Sequence, residues 1–124
     1  MRIFKTKAFN RWAEQINLND ISLHKAVEQI EKGLFEACLG GHLYKKRIAI
    51  GNKGKSSSLR TIIAFKKEDK AFFIYGFAKN CKENITATEI VALKDLAKIY
   101  FSYSDNQIEI ILKNNKLIEV FDNG

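Results

Sequence analysis

The sheet is specified by Leu59-Arg60-Thr61-Ile62-Ile63-Ala64-Phe65-Lys66 and, after a charged turn, by Ala71-Phe72-Phe73-Ile74-Tyr75-Gly76-Phe77. Both runs are apolar almost throughout, as expected of strands that are covered on both faces. The short turn at residues 67–70 predicts that they form an antiparallel pair. In residues 43–50, apolar and polar side chains alternate less regularly. This run predicts a preceding strand, which the polar loop 51–58 joins to the pair. Together the three runs predict an antiparallel meander.

Helical periodicity flanks this sheet on both sides. After a short strand at residues 2–5, Thr6 is a suitable N-cap for a first helix, and a second helix is predicted from Asn19 or Asp20 to Gly33. Gly40-Gly41 then marks a break before the sheet. The apolar stripes of the two helices are Phe9, Trp12, Ala13 and Ile16, and then Leu23, Val27, Ile30 and Leu34.

Two further helices and a short strand are predicted after the sheet. Residues 86–89 (TATE) form a capping box that opens a third helix, and Ser104 begins another. Residues 117–120 are a candidate last strand. The expected fold class is α+β, with residues 1–124 as a single domain. Two N-terminal helices are expected to pack on one face of an antiparallel sheet, with C-terminal helices after it.

The composition fits one intracellular domain. At 124 residues, 46% hydrophobic and 28% charged, the chain can bury a sufficient core without disulfides. Cys38 and Cys81 are too few for a disulfide framework and lack the short Cys or His spacing of a zinc site. No segment approaches the roughly 18 apolar residues that span a bilayer, and the first residues lack a signal peptide's apolar stretch. We expect a cytoplasmic protein without metal, cofactor or membrane contact.

Positive charge is concentrated in one quarter of the chain. The net charge is +7, and residues 37–67 contribute eight basic side chains and no acidic one. The other segments are close to balanced, at +1 for residues 1–36 (6 − 5) and −2 for residues 68–124 (7 − 9). Because a solvated strand face usually interleaves both signs, this stretch predicts an anionic ligand. The eight side chains are Lys45, Lys46, Arg47, Lys53, Lys55, Arg60, Lys66 and Lys67.

Motifs for nucleotide binding and nucleophilic catalysis are absent from the sequence. Residues 51–56 (GNKGKS) look like part of a P-loop, but Ala49 stands where the motif requires its first glycine, and the next element is a strand. Only His24 and His42 could activate a serine or cysteine, and both are better interpreted as structural. The sequence offers many cations and no evident specialist in proton transfer.

Such a site suits a substrate that brings its own nucleophile. RNA does so through the 2′-hydroxyl beside each phosphate, and an enzyme need only align that group and stabilise the charge of the transition state. Arginine can grip two phosphate oxygens at once, and a lysine among other cations can act as acid or base. Arg60 and Lys79 are predicted to converge at one edge of the sheet.

A structural interpretation stays open for several of these residues. Lys45, Lys46, Lys66 and Lys67 are equally well explained as cations that solvate a sheet face. The aromatic residues are better explained as core than as platforms for base stacking. These aromatic residues are Trp12, Tyr44, Tyr75 and Phe77.

Six ordered blocks of the sequence, taken together, resemble one protein family. They are residues 40–49 (GGHLYKKRIA), 54–56 (GKS), 59–65 (LRTIIAF) and 71–80 (AFFIYGFAKN), supported by 4–9 (FKTKAF) and 92–97 (ALKDLA). These blocks resemble the RelE/HigB-like toxins of bacterial type II toxin–antitoxin systems, and within them the HigB-type branch. The resemblance spans nearly the whole chain.

The resemblance implies a RelE-like, microbial-ribonuclease-like sheet and metal-independent cleavage of mRNA at the 30S A site of the translating ribosome. By position, Arg60 matches the strand arginine that contacts the scissile phosphate, and Lys79 matches a second cation after the third strand. Relatives often carry a tyrosine or histidine near the C-terminal end, whereas residues 117–121 (LIEVF) contain neither. The expected catalytic residues are Arg60, Lys79 and Lys55, and the expected RNA-binding residues are Lys45, Lys46, Arg47, Lys53 and Lys66.

The resemblance also implies partners. A cognate helix-turn-helix antitoxin is expected to neutralise the protein, and operator DNA is expected to be bound only through that antitoxin. Two alternatives stay open on the same fold. One is an RNA- or ribosome-binding protein without catalysis, and the other is an inhibitor of DNA gyrase of the ParE type.

Overall fold

The sheet is built around two central strands, as the sequence predicts. The computed structural model describes residues 1–49 and 59–121. In that part of the chain the elements are β1 Arg2–Thr6, α1 Lys7–Gln15, α2 Asp20–Glu31, β2 Ala37–Gly40, β3 Leu43–Ile48, β4 Leu59–Phe65, β5 Lys70–Ala78, α3 Ala87–Ser102, α4 Asp105–Lys113 and β6 Leu117–Val120.

The strands form one sheet in the spatial order β2-β3-β4-β5-β1-β6. Neighbouring strands are antiparallel except β1 and β5, which run parallel. The predicted meander is confirmed as β3, β4 and β5, and β3 ends at Ile48, whereas the loop 51–58 lies outside the described residues. The break predicted at Gly40-Gly41 is present, but a strand that the sequence did not predict, β2, precedes it. These glycines form the turn of a β2–β3 hairpin, where φ values of +83° and +58° suit residues without a Cβ.

Helices cover both faces of the sheet, which explains why β4 is buried from Leu59 to Phe65. The α1/α2 face packs residues such as Phe9 and Leu23 against Ile63 of β4. The α3/α4 face packs Ala97 and Ile108 in one cluster with Ile62. Because side chains alternate along a strand, odd-numbered residues of β4 face α1 and α2, and even-numbered residues face α3 and α4.

The predicted helix starts are confirmed by their caps. Thr6 and Asn19 accept hydrogen bonds from Phe9 N and Ser22 N, and both Thr86 and Ser104 form complete capping boxes. The predicted end of the second helix is confirmed, because α2 ends at Glu31 with Lys32 as its cap and Gly33 follows with a φ of +83°. Leu34 does not belong to the helical stripe, since it lies beyond the helix and is 56% exposed. None of the described helices combines the length and the apolar character needed to cross a bilayer.

Candidate functional site

Two arginines occupy paired positions on neighbouring strands at one end of the sheet. Arg47 of β3 and Arg60 of β4 are direct partners in the register, and Phe77 of β5 is paired with Arg60 on its other side. Side chains paired in this way have Cβ atoms about 5 Å apart, and like charges at that distance repel. This pair of cations is therefore stabilised by any anion placed beside it.

Glu36 supplies such an anion inside the protein. Arg60 Nε lies 3.0 Å from Glu36 Oε2 and donates to Oε1 at 3.2 Å, while Lys45 Nζ lies 3.7 Å from Oε2. Arg60 is only 5% exposed, so this carboxylate meets a largely desolvated guanidinium. The Glu36 backbone N–H donates to the Lys45 carbonyl at 2.8 Å and fixes the carboxylate beside β3. We call Arg60, Arg47, Lys45 and Glu36 the Arg60 cluster.

Asn84 ties the segment before α3 to this cluster. Lys45 Nζ donates to Asn84 Oδ1 at 3.1 Å, and the same oxygen accepts from Ile85 N at 2.9 Å. Neither Glu36 nor Asn84 is among the site residues predicted from the sequence. Glu36 precedes the acid-free stretch by one residue, and recognition of the β2–β3 hairpin would have placed it beside the predicted cationic strand.

A second set of contacts, at the N-terminus of α3, is structural. Glu89 Oε1 lies 2.8 Å from Lys82 Nζ, and the Tyr75 hydroxyl donates to Glu89 Oε2 at 3.2 Å. The hydrogen bond from Lys82, and next that from the Thr86 backbone, lower the pKa of Glu89 to about 2. Burial raises the pKa of Tyr75. At neutral pH Glu89 is thus a weakly basic carboxylate and Tyr75 a protonated phenol, which together hold α3 on β5.

The lowered pKa of Glu89 predicts a loss of stability in acid. Because its pKa is about 2 in the folded chain and about 4.3 unfolded, its contribution is complete above pH ~5 and is lost as the pH falls towards 2. We expect Glu89→Gln to lower the urea midpoint of unfolding at pH 7. Between pH 5 and 2, the midpoint of the variant should fall less than that of wild type. Glu83→Gln, in the same exposed segment, is the control. Equal pH profiles for wild type and Glu89→Gln would contradict this account.

The structure places the predicted site residues at two ends and on two faces of the sheet. Arg60, Arg47 and Lys45 lie together. Lys79 is exposed and follows β5 at the same end of the sheet, because Ala78 is the register partner of Leu59. Lys53 and Lys55 lie outside the described residues.

Lys46 and Lys66 lie apart from the Arg60 cluster. Lys46 is 9% exposed and lies on the α1/α2 face, because side chains alternate along β3. Burial there lowers its pKa. Lys66 follows the other end of β4, six residues from Arg60, which corresponds to about 20 Å along a strand. These two lysines are therefore not positioned to share one phosphate with Arg60.

The aromatic residues have the packing expected of structural side chains. Phe77 is buried in the cluster under α3, and Tyr44 packs edge-on against Phe65. Trp12 is half-buried, contacts Phe9 and lies over the backbone of Gly76. His42 lies in the β2–β3 turn with φ +64°, at the Lys66 end of the sheet.

Fold and site together define a small basic α+β protein with a cationic surface at one sheet end, where a strand arginine lies near two further cations. The chain belongs to the RelE toxin family, since the family described as "RelE toxin of RelE / RelB toxin-antitoxin system" matches residues 1–120. The comparison with curated proteins gives no match. The protein is thus a toxin of a toxin–antitoxin system, and toxins of this family pair with a cognate antitoxin.

Proposed function

We propose that this toxin is a ribosome-dependent mRNA endoribonuclease of the HigB-type branch, which acts in the cytoplasm without metal or cofactor. Residues 1–124 are proposed to form one toxin domain. The observation that carries the proposal is Arg60, a desolvated strand cation held by Glu36 beside Arg47 and Lys45. A preorganised guanidinium in such a place stabilises charge that develops on a phosphate.

The proposed reaction uses the substrate's own nucleophile. The 2′-oxygen of RNA forms a bond to the adjacent phosphorus, and the bond from phosphorus to the 5′-oxygen breaks. One proton is transferred in net from the attacking to the leaving oxygen, which leaves a 2′,3′-cyclic phosphate and a 5′-hydroxyl. Arg60 stabilises the charge on the non-bridging oxygens, and Lys79 and Lys55 are proposed to complete the catalytic set.

Phosphates on either side of the cleaved bond are proposed to contact the remaining cations of the predicted set. Arg47 and Lys45 are adjacent to Arg60, and Lys53 is assigned to the same role from the sequence. Each contact of this kind releases counterions from the RNA, so binding is expected to weaken steeply with salt. Lys46 and Lys66 are not part of this site in the proposal.

Glu36 is proposed to compete with phosphate for Arg60 and Lys45. Because its carboxylate lies 3.0 Å from Arg60 Nε and 3.7 Å from Lys45 Nζ, it repels a phosphate that approaches them. We expect Glu36→Gln to bind a 2′-O-methyl RNA oligonucleotide, which cannot be cleaved, about five-fold more tightly than wild type. Glu31→Gln, a nearby exposed carboxylate at the end of α2, is the control. Equal or weaker binding by Glu36→Gln would contradict the proposed competition.

The proposed partners are the small ribosomal subunit, mRNA and a helix-turn-helix antitoxin that carries the contact with operator DNA. Brief expression without an antitoxin is expected to arrest growth, and purified toxin is expected to cleave mRNA on translating ribosomes. Intact mRNA with normal growth would overturn the proposal. Salt-sensitive RNA binding without cleavage would point to a binding protein, and loss of supercoiling by DNA gyrase would point to a ParE-type inhibitor.

A further inference from the structure

A second basic pocket lies at the other end of the sheet, between the β2–β3 turn and the C-terminal half of α3. Its volume is about 450 Å³, and its walls include Gly41, His42, Lys66, Lys94, Lys98 and Phe101. Pockets of roughly 300–1,000 Å³ are typical of small-molecule and nucleotide sites. None of these residues belongs to the Arg60 cluster, and Lys66 is about 20 Å from Arg60 along β4. We call this cavity the Phe101 pocket.

The turn of the β2–β3 hairpin is shaped to hold Lys94. Gly40, Gly41 and His42 all have positive φ values, of +83°, +58° and +64°. A Cβ built on Gly41 would lie 3.1 Å from Lys94 Cγ, and one on Gly40 would lie 3.2 Å from Lys94 Nζ. The two glycines thus leave the space in which the Lys94 side chain lies across the turn. Lys94 also lines the Phe101 pocket.

The charge of the Phe101 pocket is unbalanced. The pocket is lined by three lysines, Lys66, Lys94 and Lys98, and by one acidic residue, Asp95. With His42 counted as neutral, the net charge of its lining is +2 (3 − 1). Within the described ranges 1–49 and 59–121, none of these three lysines forms an ion pair with a carboxylate. Other lysines of the sheet and its loops are paired, at 2.8 Å for Lys5 with Asp20 and for Lys82 with Glu89. Three unpaired cations around one cavity favour an anionic occupant.

Phe101 adds an aromatic wall. The Lys66 ammonium lies 6.0 Å from the centroid of the Phe101 ring, and the His42 ring packs edge-on against it at 5.8 Å. Phe101 is itself fixed by an edge contact with buried Phe72 at 5.4 Å. A rigid aromatic ring beside cations is the combination that binds a nucleic-acid base together with its phosphate.

We propose that the Phe101 pocket binds an RNA strand, with a phosphate between Lys94, Lys98 and Lys66 and a base against Phe101. The pocket is a binding site without catalysis and is separate from the Arg60 cluster. The choice of RNA as ligand rests on the proposed function, whereas the anionic and aromatic character of the site does not. A toxin with both sites holds RNA at two points on the α3/α4 side of its sheet.

The test compares two double variants in the full chain. Lys94→Gln with Lys98→Gln removes two cations from the Phe101 pocket, and Lys113→Gln with Lys116→Gln removes two exposed cations from the end of α4 and its following turn. The probe is a 2′-O-methyl RNA oligonucleotide, and its dissociation constant is measured against salt concentration. We expect the pocket variant to bind about ten-fold more weakly, with a salt slope smaller by about 1.4, and the control to change less than two-fold. Equal affinities of the two variants both for the oligonucleotide and for mRNA-free 30S subunits would overturn the proposal.

Two further arms separate the outcomes. If neither wild type nor Arg60→Ala cleaves mRNA, but Lys94→Gln with Lys98→Gln weakens the binding of RNA, the pocket is supported and the proposed catalysis is not. If cleavage depends on Arg60 while the pocket variant binds RNA normally, the pocket proposal alone falls. Weaker binding of the pocket variant to mRNA-free 30S subunits would identify the phosphate as ribosomal, and weaker binding to the oligonucleotide alone would identify it as that of mRNA. Equal circular dichroism and thermal midpoints confirm that both variants fold.

Discussion

Arg60→Ala is expected to lower the rate of mRNA cleavage on ribosomes by about 10²–10³-fold, the usual cost of removing one preorganised group that stabilises the transition state. Expression of the variant should no longer arrest growth. Arg60 is buried beside Glu36, so its guanidinium is already oriented before the substrate arrives. Neither Arg47 nor Lys45 can take over this role, because each is fixed on the neighbouring strand β3.

The fold should survive this substitution. Glu36 is about one-third exposed and retains Lys45 at 3.7 Å, so it does not become an isolated buried charge. Because the Arg60 side chain is buried, we expect a loss of about 3 kcal/mol in the free energy of unfolding, from the lost packing as well as the lost ion pair. Arg60→Lys keeps the charge but not the two-pronged contact, and it should recover only part of the rate. Lys113→Ala is the surface control, and an Arg60→Ala variant as active as this control would remove Arg60 from the proposed site.

Gly76→Ala is expected to destabilise the toxin by about 3 kcal/mol, the second large effect that the structure predicts. A Cβ built on Gly76 would overlap the Trp12 ring, with Cε3 at 2.5 Å and Cη2 at 2.6 Å. The indole lies directly on the backbone of β5, and it cannot move inward because Phe9 packs against its edge. We expect Trp12 to be displaced towards solvent, with a red shift of its fluorescence and a lower urea midpoint.

Two variants separate this clash from the ordinary cost of replacing a glycine. Gly33→Ala has nothing within 4 Å of its new Cβ but keeps a φ of +83°, so it should cost only about 1 kcal/mol of backbone strain. Trp12→Leu removes the overlapping ring, and Gly76→Ala should therefore cost much less in that background. Equal costs of Gly76→Ala in both backgrounds would show that Trp12 does not determine the requirement for glycine.

The sequence predicts those parts of the fold whose signals are local. Thr6, Thr86 and Ser104 each satisfy backbone N–H groups within three residues, so each cap can be identified from neighbouring residues. The continuous apolar run of β4 indicates burial on both faces. β2 has no comparable signal, because it is a four-residue edge strand with two exposed residues.

The site is harder to predict, because its contacts join distant parts of the chain. Glu36 is 24 residues from Arg60, and Asn84 is 39 residues from Lys45, so neither contact leaves a local pattern. The division of the predicted lysines follows from strand parity. Lys46 pairs with Thr61 on the α1/α2 face, whereas its neighbour Lys45 lies on the other face and contacts Glu36 and Asn84. Parity can be assigned only after the register is known, which the irregular alternation of residues 43–48 does not provide.

We propose that this RelE-family toxin cleaves mRNA during translation through Arg60. The most direct test maps 5′ ends on a reporter mRNA in a purified translation system, with wild-type toxin, with Arg60→Ala, and with wild-type toxin in the absence of ribosomes. We predict new 5′-hydroxyl ends within the translated region for wild type on ribosomes, matched by upstream fragments that end in 2′,3′-cyclic phosphate. The same ends with Arg60→Ala, or no new ends under any condition, would contradict the claim.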